Sequence, residues 1–308
     1  GCIQTDGIGV SMRFEKEFSL DNAIKSNKCK DNEVKNKDFK YIDDVPRKRF
    51  EKLNKEKKVY IDPGKKNIIY CIGDNGKRLK YTCGRRNFEI KKKHHNKIRE
   101  LIKRDDNIDI IENKICDLDC KETTYTNFKE YVRRKNLVNK ETLEHYEKTV
   151  YRNLRFRNYC LTKQSEDKLV NRIKDTYGED CVLLYGDKNV GKQMKNFIPT
   201  PMLGFKRRLG KDFEIINVDE FRTSKLDHRT TDDNLIKCKN AVINNDDKRK
   251  SLHGVLMSNI SLNKSHVMIC YQNRDVNGCL NIKKIVDYKL LEGQKERPYW
   301  YRRSTKLS

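Results

Sequence analysis

The chain has 308 residues, with 69 Lys+Arg against 45 Asp+Glu and a formal net charge of +24. No run approaches the ~18 consecutive apolar residues of a membrane helix, which excludes a membrane span. The apolar runs VYID, CVLLYG and EIINV exclude disorder throughout. An excess of cations on this scale favours nucleic acid as partner, because phosphate contacts release counterions. The alternative is an AT-rich genome that raises Lys and Asn without a binding role. The opening GCIQTDG shows no basic stretch followed by an apolar core, so no secretory signal is visible. The 11 cysteines are scattered and form no CxxC, as expected of reduced thiols.

In chain order, residues 1–18 alternate as one strand (IGVSMRFEKEF). A strand this early has nothing before it to pair with, which suggests that the chain continues upstream. Residues 19–57 read as a charged connector with one short helix. KVYIDPGKKNIIYCI predicts a strand ending at Asp62, a Pro-Gly turn and a second strand. DNGKRLKYTC follows as a hairpin, with Asn75-Gly76 supplying the turn. Residues 86–175 are almost free of Gly and Pro and helical in pattern, with basic faces such as EIKKKHHNKIRELIKR and VYRNLRFRNYC. CVLLYGD is a buried-type strand, 189–204 a Gly/Pro loop, FKRRLGKDF a short basic helix and EIINVDEF a further strand. Residues 225–270 read as irregular, 273–293 as an amphipathic helix, and RPYWYRRSTKLS as a basic tail. This order predicts an α/β fold with a mixed central sheet.

Acidic residues stand at the ends of these strands in apolar frames. Asp62 closes VYID, Asp187 closes LLYGD, Asp219 and Glu220 close INVDE, and Asp275 opens the last helix in NRDVN. A carboxylate at a buried strand end is poorly solvated and repels its like, so something positive is expected there. Paired divalent cations held by three or four carboxylates are the usual device for phosphodiester cleavage. Taken singly, the acids have plainer explanations, a turn residue at Asp62 and a helix N-cap at Asp275. GDKNVGKQ (186–193) follows a strand and approaches the phosphate loop G-x-x-x-x-G-K-[ST]. Its last position, Gln193, lacks the hydroxyl that ligates magnesium.

The segments TDGIGVSMRF, VYIDPG, YRNLRFRNY, LLYGD, PTPMLGFKRRL, VDEFRTSK, LHGVL, NRDVNGCLNI and RPYWYR occur in this order over nearly the whole chain. With them the chain resembles the Fanzor proteins, eukaryotic and viral relatives of the TnpB transposon nucleases. The resemblance implies an RNase H-like (RuvC-type) mixed sheet with a helical insertion at about 86–175 and a residual N-terminal β segment. Residues 1–57 would then be the end of a wedge-type β domain plus connector, and 58–308 the nuclease domain. It implies RNA-guided DNA cleavage, with guide RNA and target DNA as partners and two Mg²⁺ ions as cofactors. The location implied is the nucleus, or the host nucleus or cytoplasm if viral.

By the same resemblance Asp62, Glu220 and Asp275 are the catalytic metal ligands, with Asp187 as second candidate for the middle position. Arg152, Arg155, Arg157, Lys206, Arg207, Arg222, Lys225 and Arg274 are expected to contact nucleic acid. Tyr151, Phe156 and Tyr159, interleaved with those arginines, either stack on bases or pack the helix, and packing is the first expectation. The family's four-cysteine zinc element is expected to be absent. Asp227, Thr230 and Ser258 stand where the resemblance places ligands, leaving Cys270, with His228, His253 or His266 as the alternatives beside it. The rival function is a catalytically inactive nucleic-acid-binding remnant. A third is a nucleotide hydrolase using residues 186–193.

Overall fold

The computed structural model describes residues 2–5, 10–13, 39–118, 124–187, 202–231, 234–245, 248–263, 266–292 and 297–302. In chain order, β1 (Cys2–Thr5) and β2 (Val10–Arg13) are followed by α1 (Arg47–Lys55). Then come β3 (Lys58–Pro63), β4 (Asn67–Gly73), β5 (Arg78–Thr82) and α2 (Cys83–Glu89). The helices α3 (Lys92–Asp105), α4 (Ile108–Glu112), α5 (Tyr125–Glu147) and α6 (Thr149–Tyr177) follow. After β6 (Val182–Gly186), α7 (Met202–Leu209) and β7 (Ile215–Val218) come β8 (Cys238–Asn245), β9 (Lys248–Asn263), β10 (His266–Asn273) and α8 (Arg274–Glu292). Among the described residues no helix is long and apolar enough to cross a membrane.

The chain divides into two compact units, Gly1–Val34 with Asn87–Gln164 and Lys35–Arg86 with Ser165–Ser308. In the first, β1 and β2 pair antiparallel, Thr5 opposite Val10. This corrects the reading of 1–18 as one strand without a partner, because alternation does not show where a run is interrupted. In α5 of this unit the buried residues Val138, Thr142 and His145 recur at helical spacing on one face.

The second unit is built on a five-stranded sheet of order β5-β4-β3-β6-β7. β3 is antiparallel to β4 and parallel to β6, β6 is parallel to β7, and β4 is antiparallel to β5. Only β4 therefore runs against the others. Every residue of β3, β6 and β7 is buried, as expected of strands covered on both faces. On one face Val59, Ile61, Leu183 and Tyr185 share a core with Leu169 and Ile173 of α6 and Phe205 and Leu209 of α7. On the other, Tyr60, Leu184 and Val218 share a core with Cys279, Ile282 and Val286 of α8.

Two expectations fail in this unit. Residues 225–270, read as irregular, contain most of a three-stranded antiparallel sheet of order β10-β9-β8. Its strands are rich in Lys, Asn and Ser, and Val242, Ile243, Met268, Ile269 and Tyr271 are exposed. A sheet with so little apolar contrast between its faces gives a weak period-two signal. The terminal RPYWYR is not a solvated tail, since Trp300 and Tyr301 are buried in the α8 core.

Candidate active site

Alternate residues of a strand share a face. Tyr60 and Leu184 face α8, so Asp62 and Gly186, each two residues further on, continue that face, while Glu220 follows just past the end of β7. Asp62 lies in β3 opposite Tyr70 and is only 7% exposed, so it is not a solvated turn residue. Ile61 stands opposite Tyr185. One step further sets Asp62 beside Gly186, on strands roughly 4.8 Å apart.

Two glycines make room for the carboxylates. A Cβ at Gly186 would stand 1.8 Å from Oε1 of Glu220, and one at Gly278 would stand 2.5 Å from Oδ2 of Asp62. The Glu220 side chain thus folds over the end of β6, next to the Asp62 position, and Asp62 lies against α8. Asp275 is three residues before Gly278, a spacing that puts both on one helix face. Its carboxylate accepts a hydrogen bond from the side-chain amide of Asn67 in β4. Asp275 is not the N-cap of α8. That role belongs to Asn273, whose Oδ1 accepts from the backbone N–H of Asp275 at 2.9 Å and of Val276 at 3.1 Å.

Neighbouring groups register this concentration of negative charge. Burial raises the Tyr185 phenol pKa, and the nearby Glu220, Asp62 and Asp187 carboxylates raise it further. Burial likewise raises the Cys279 thiol, with Asp62 adding to the effect. The groups gathered here are carboxylates, whose oxygens are the kind that hard divalent cations such as Mg²⁺ select. As the side chains stand, no three His, Cys, Asp or Glu among the described residues form a ready-made metal cage.

Asp187 belongs to the other face, that of Tyr185. It accepts hydrogen bonds from the Tyr41 hydroxyl and, at 3.4 Å, from the Lys206 amine. The Lys206 side chain is buried and its amine lies 5.2 Å from the Tyr185 ring centre. Burial lowers the Lys206 pKa and the Asp187 charge opposes that shift. Lys206 is thus engaged with Asp187 inside the fold, which corrects its expected place on a nucleic-acid surface. Arg207, Arg222 and Lys225 are exposed and Arg274 is half-buried. Arg222 has φ of 64°, a strained backbone for a non-glycine residue, two positions after Glu220.

In the helical unit Arg152, Arg155 and Arg157 are exposed on α6. Phe156 is 68% and Tyr159 60% exposed, so neither packs the helix as first expected. Tyr151 does pack, with its hydroxyl hydrogen-bonded to the His145 ring. Burial lowers the His95 pKa, and the nearby Arg99, Arg157 and Lys91 cations lower it further.

Where the resemblance places a zinc element, the side chains satisfy one another. Asp227, fully buried, accepts from Ser258 Oγ at 2.6 Å, Gln272 Nε2 at 2.9 Å and both Nε and Nη2 of Arg229 at 2.8 and 2.7 Å. The Thr230 hydroxyl bonds the carbonyl and N–H of Ile236. Cys238 and Cys270 both stand opposite Ser258, and Gln272 reaches the Cys238 sulfur at 3.6 Å. Burial alone would raise the Asp227 carboxyl, but Arg229 and Ser258 outweigh it and hold the pKa at about 2.

Asn67, Gly186, Gly278 and Asn273 were missed by sequence reasoning. The glycines were visible as the Gly of YGD and of DVNGC. What they make room for depends on partners about 30 residues away or, at Gly278, more than 200. Most of the near-miss phosphate loop at 186–193 lies outside the described residues. No protein-family model and no curated protein matches the chain.

Proposed function

We propose that the chain is an RNA-guided DNA endonuclease of the Fanzor/TnpB type, cleaving phosphodiesters at a RuvC-like site. The observation that carries this reading is the gathering of Asp62, Glu220 and Asp275 on one face, at one end of the sheet. Their sequence separation is large, and carboxylates brought near one another repel unless positive charge offsets them. The strand order, with β4 alone reversed, is what an RNase H-like sheet requires, and it supports that finer description.

Asp62, Glu220 and Asp275 would hold Mg²⁺, which when bound lowers the pKa of the attacking water and stabilises the leaving oxygen. The chain's own groups do the rest. The Asn67 amide orients the Asp275 carboxylate. Exposed Arg222 and Lys225 supply cations for the phosphate backbone next to Glu220. Exposed Arg152, Arg155, Arg157, Phe156 and Tyr159 offer charge and stacking faces to the nucleic acid. Asp187, already paired with Lys206, takes no part in the metal site.

A second reading, a nucleic-acid-binding remnant without turnover, draws on one observation. The Asp275 carboxylate is engaged with Asn67 and no ready-made cage exists among the described residues. The deciding experiment purifies the chain with its co-purifying RNA and assays Mg²⁺-dependent cleavage of DNA complementary to that RNA. The expected outcome is cleavage by the parent, loss of at least about 100-fold in Asp62→Ala and Asp275→Ala, and retained RNA in all three. The Asp187→Asn/Lys206→Met double variant, which removes an ion pair together, is expected to keep cleaving. Binding without cleavage in the parent establishes the remnant. Loss of cleavage in a folded double variant returns Asp187 to the site.

A further inference from the structure

Glu220 lies past the end of β7, on a turn rather than on a strand, so its carboxylate needs external support to stay over Gly186. The structure supplies a direct path from the helix that carries Asp275. Glu220's backbone carbonyl accepts from the N–H of Thr223 at 3.1 Å and from the Thr223 hydroxyl at 3.0 Å. Thr223's own carbonyl accepts from two side-chain amides of α8, Asn277 at 3.2 Å and Asn281 at 2.6 Å. The same two amides donate to the carbonyl of Leu226, each at 2.8 Å.

All the groups in this path are sequestered. Thr223 is 1% exposed, and Asn277 and Asn281 are both 0% exposed. The oxygens of the two amides are also used. Asn277 Oδ1 accepts from the His228 N–H at 2.9 Å, and Asn281 Oδ1 from the Tyr301 hydroxyl at 2.5 Å. A buried Asn whose donors and acceptor are all engaged holds its partners in one geometry. Leucine at either position would remove one of the two amide donors to each of these carbonyls, and aspartate would set oxygen against oxygen.

We propose that Asn281 and Asn277, acting through Thr223, are positioning residues that fix Glu220 relative to Asp275 and so set the affinity of the carboxylate site for a divalent cation. This rests on the reading of Asp62, Glu220 and Asp275 as metal ligands. Groups bonded directly to metal ligands typically change metal affinity by about 10–100-fold, and this support, which holds the Glu220 backbone through Thr223, is expected at the lower end of that range. Substituting Asn281 alone leaves the Asn277 bonds to the same carbonyls in place, so the fold is expected to survive.

The test follows thermal unfolding of the full chain against Mg²⁺ concentration, in parallel with Mn²⁺ binding by electron paramagnetic resonance. It compares the parent with Asn281→Ala, Thr223→Val and Glu220→Gln. The expected result is an ion-dependent rise in Tm for the parent, with half-saturation shifted upward about 10-fold in Asn281→Ala and Thr223→Val. Cleavage by both variants is expected to recover its maximal rate at saturating Mg²⁺. A lowered Tm in both variants with unchanged half-saturation shows a purely structural role and overturns the proposal, leaving the metal site standing. A parent and a Glu220→Gln variant equally indifferent to both ions overturn the metal site itself and the proposal with it. If Asn281→Ala does not fold, Thr223→Val, which removes one hydroxyl and keeps the side-chain shape, decides alone.

Discussion

Asp62 and Asp227 lie in the same unit, both buried, and the chain treats them in opposite ways. Asp227 is wrapped by Ser258, Gln272 and the fork of Arg229, so its charge is answered by the protein's own groups. Asp62 lies against Gly278 of α8, and Glu220 folds over Gly186, so that two glycines make room for carboxylates at one end of the sheet. A charge answered internally stabilises the fold. Carboxylates brought together cost stability, a common property of sites kept for function. The contrast separates a structural acid from a candidate ligand better than burial does, because burial is nearly the same for both.

The largest effect is expected at the structural acid. Asp227→Ala leaves Arg229, Ser258 and Gln272 without their common acceptor and should destabilise the chain by about 3–5 kcal/mol in a denaturant melt. An unchanged melt would break the contrast. The pH dependence follows from the depressed pKa. The folded value of about 2 lies below the ordinary 3.8, so this contribution is fully present above pH 3.8 and is lost as pH falls toward 2. Its size is about 2 kcal/mol, and Asp227→Asn should remove it from the stability profile between those pH values.

The opposite sign is expected at the carboxylate site. Glu220→Gln removes one of the clustered charges and should raise stability without divalent ions by about 1 kcal/mol, measured in the same melts. A loss there would place Glu220 with Asp227 among structural acids. The smallest effect is expected from chelation. With Asp227, Thr230 and Ser258 bonded to protein groups, treatment of the chain with a strong zinc chelator should leave Tm unchanged.

Much of this was legible in the residues. The mixed α/β order, the Asn75-Gly76 hairpin and the amphipathic last helix follow from local chemistry, since Gly76 does take a left-handed φ of 74° and apolar spacing marks α8. The three-stranded sheet over 238–273 was not legible, because its polar strands lack contrast between faces. Nor was the burial of Trp300 and Tyr301, since a short aromatic run shows neither a helix nor a strand period.

The acids themselves were visible at the ends of apolar runs, as VYID, LLYGD and INVDE. Which of them meet depended on the sheet. The pleat sends Asp62 and Gly186 toward α8 and sends Asp187 with Tyr185 toward Lys206, and the turn after β7 brings the Glu220 side chain over Gly186. Sequence alone therefore determined the kinds of chemical group present and the local elements that carry them, because propensity and hydrophobic period act over a few neighbours. Only the tertiary structure decided which carboxylates share a face and which amides hold them. Strand register and helix packing join residues up to more than 200 positions apart, and no local pattern encodes that distance.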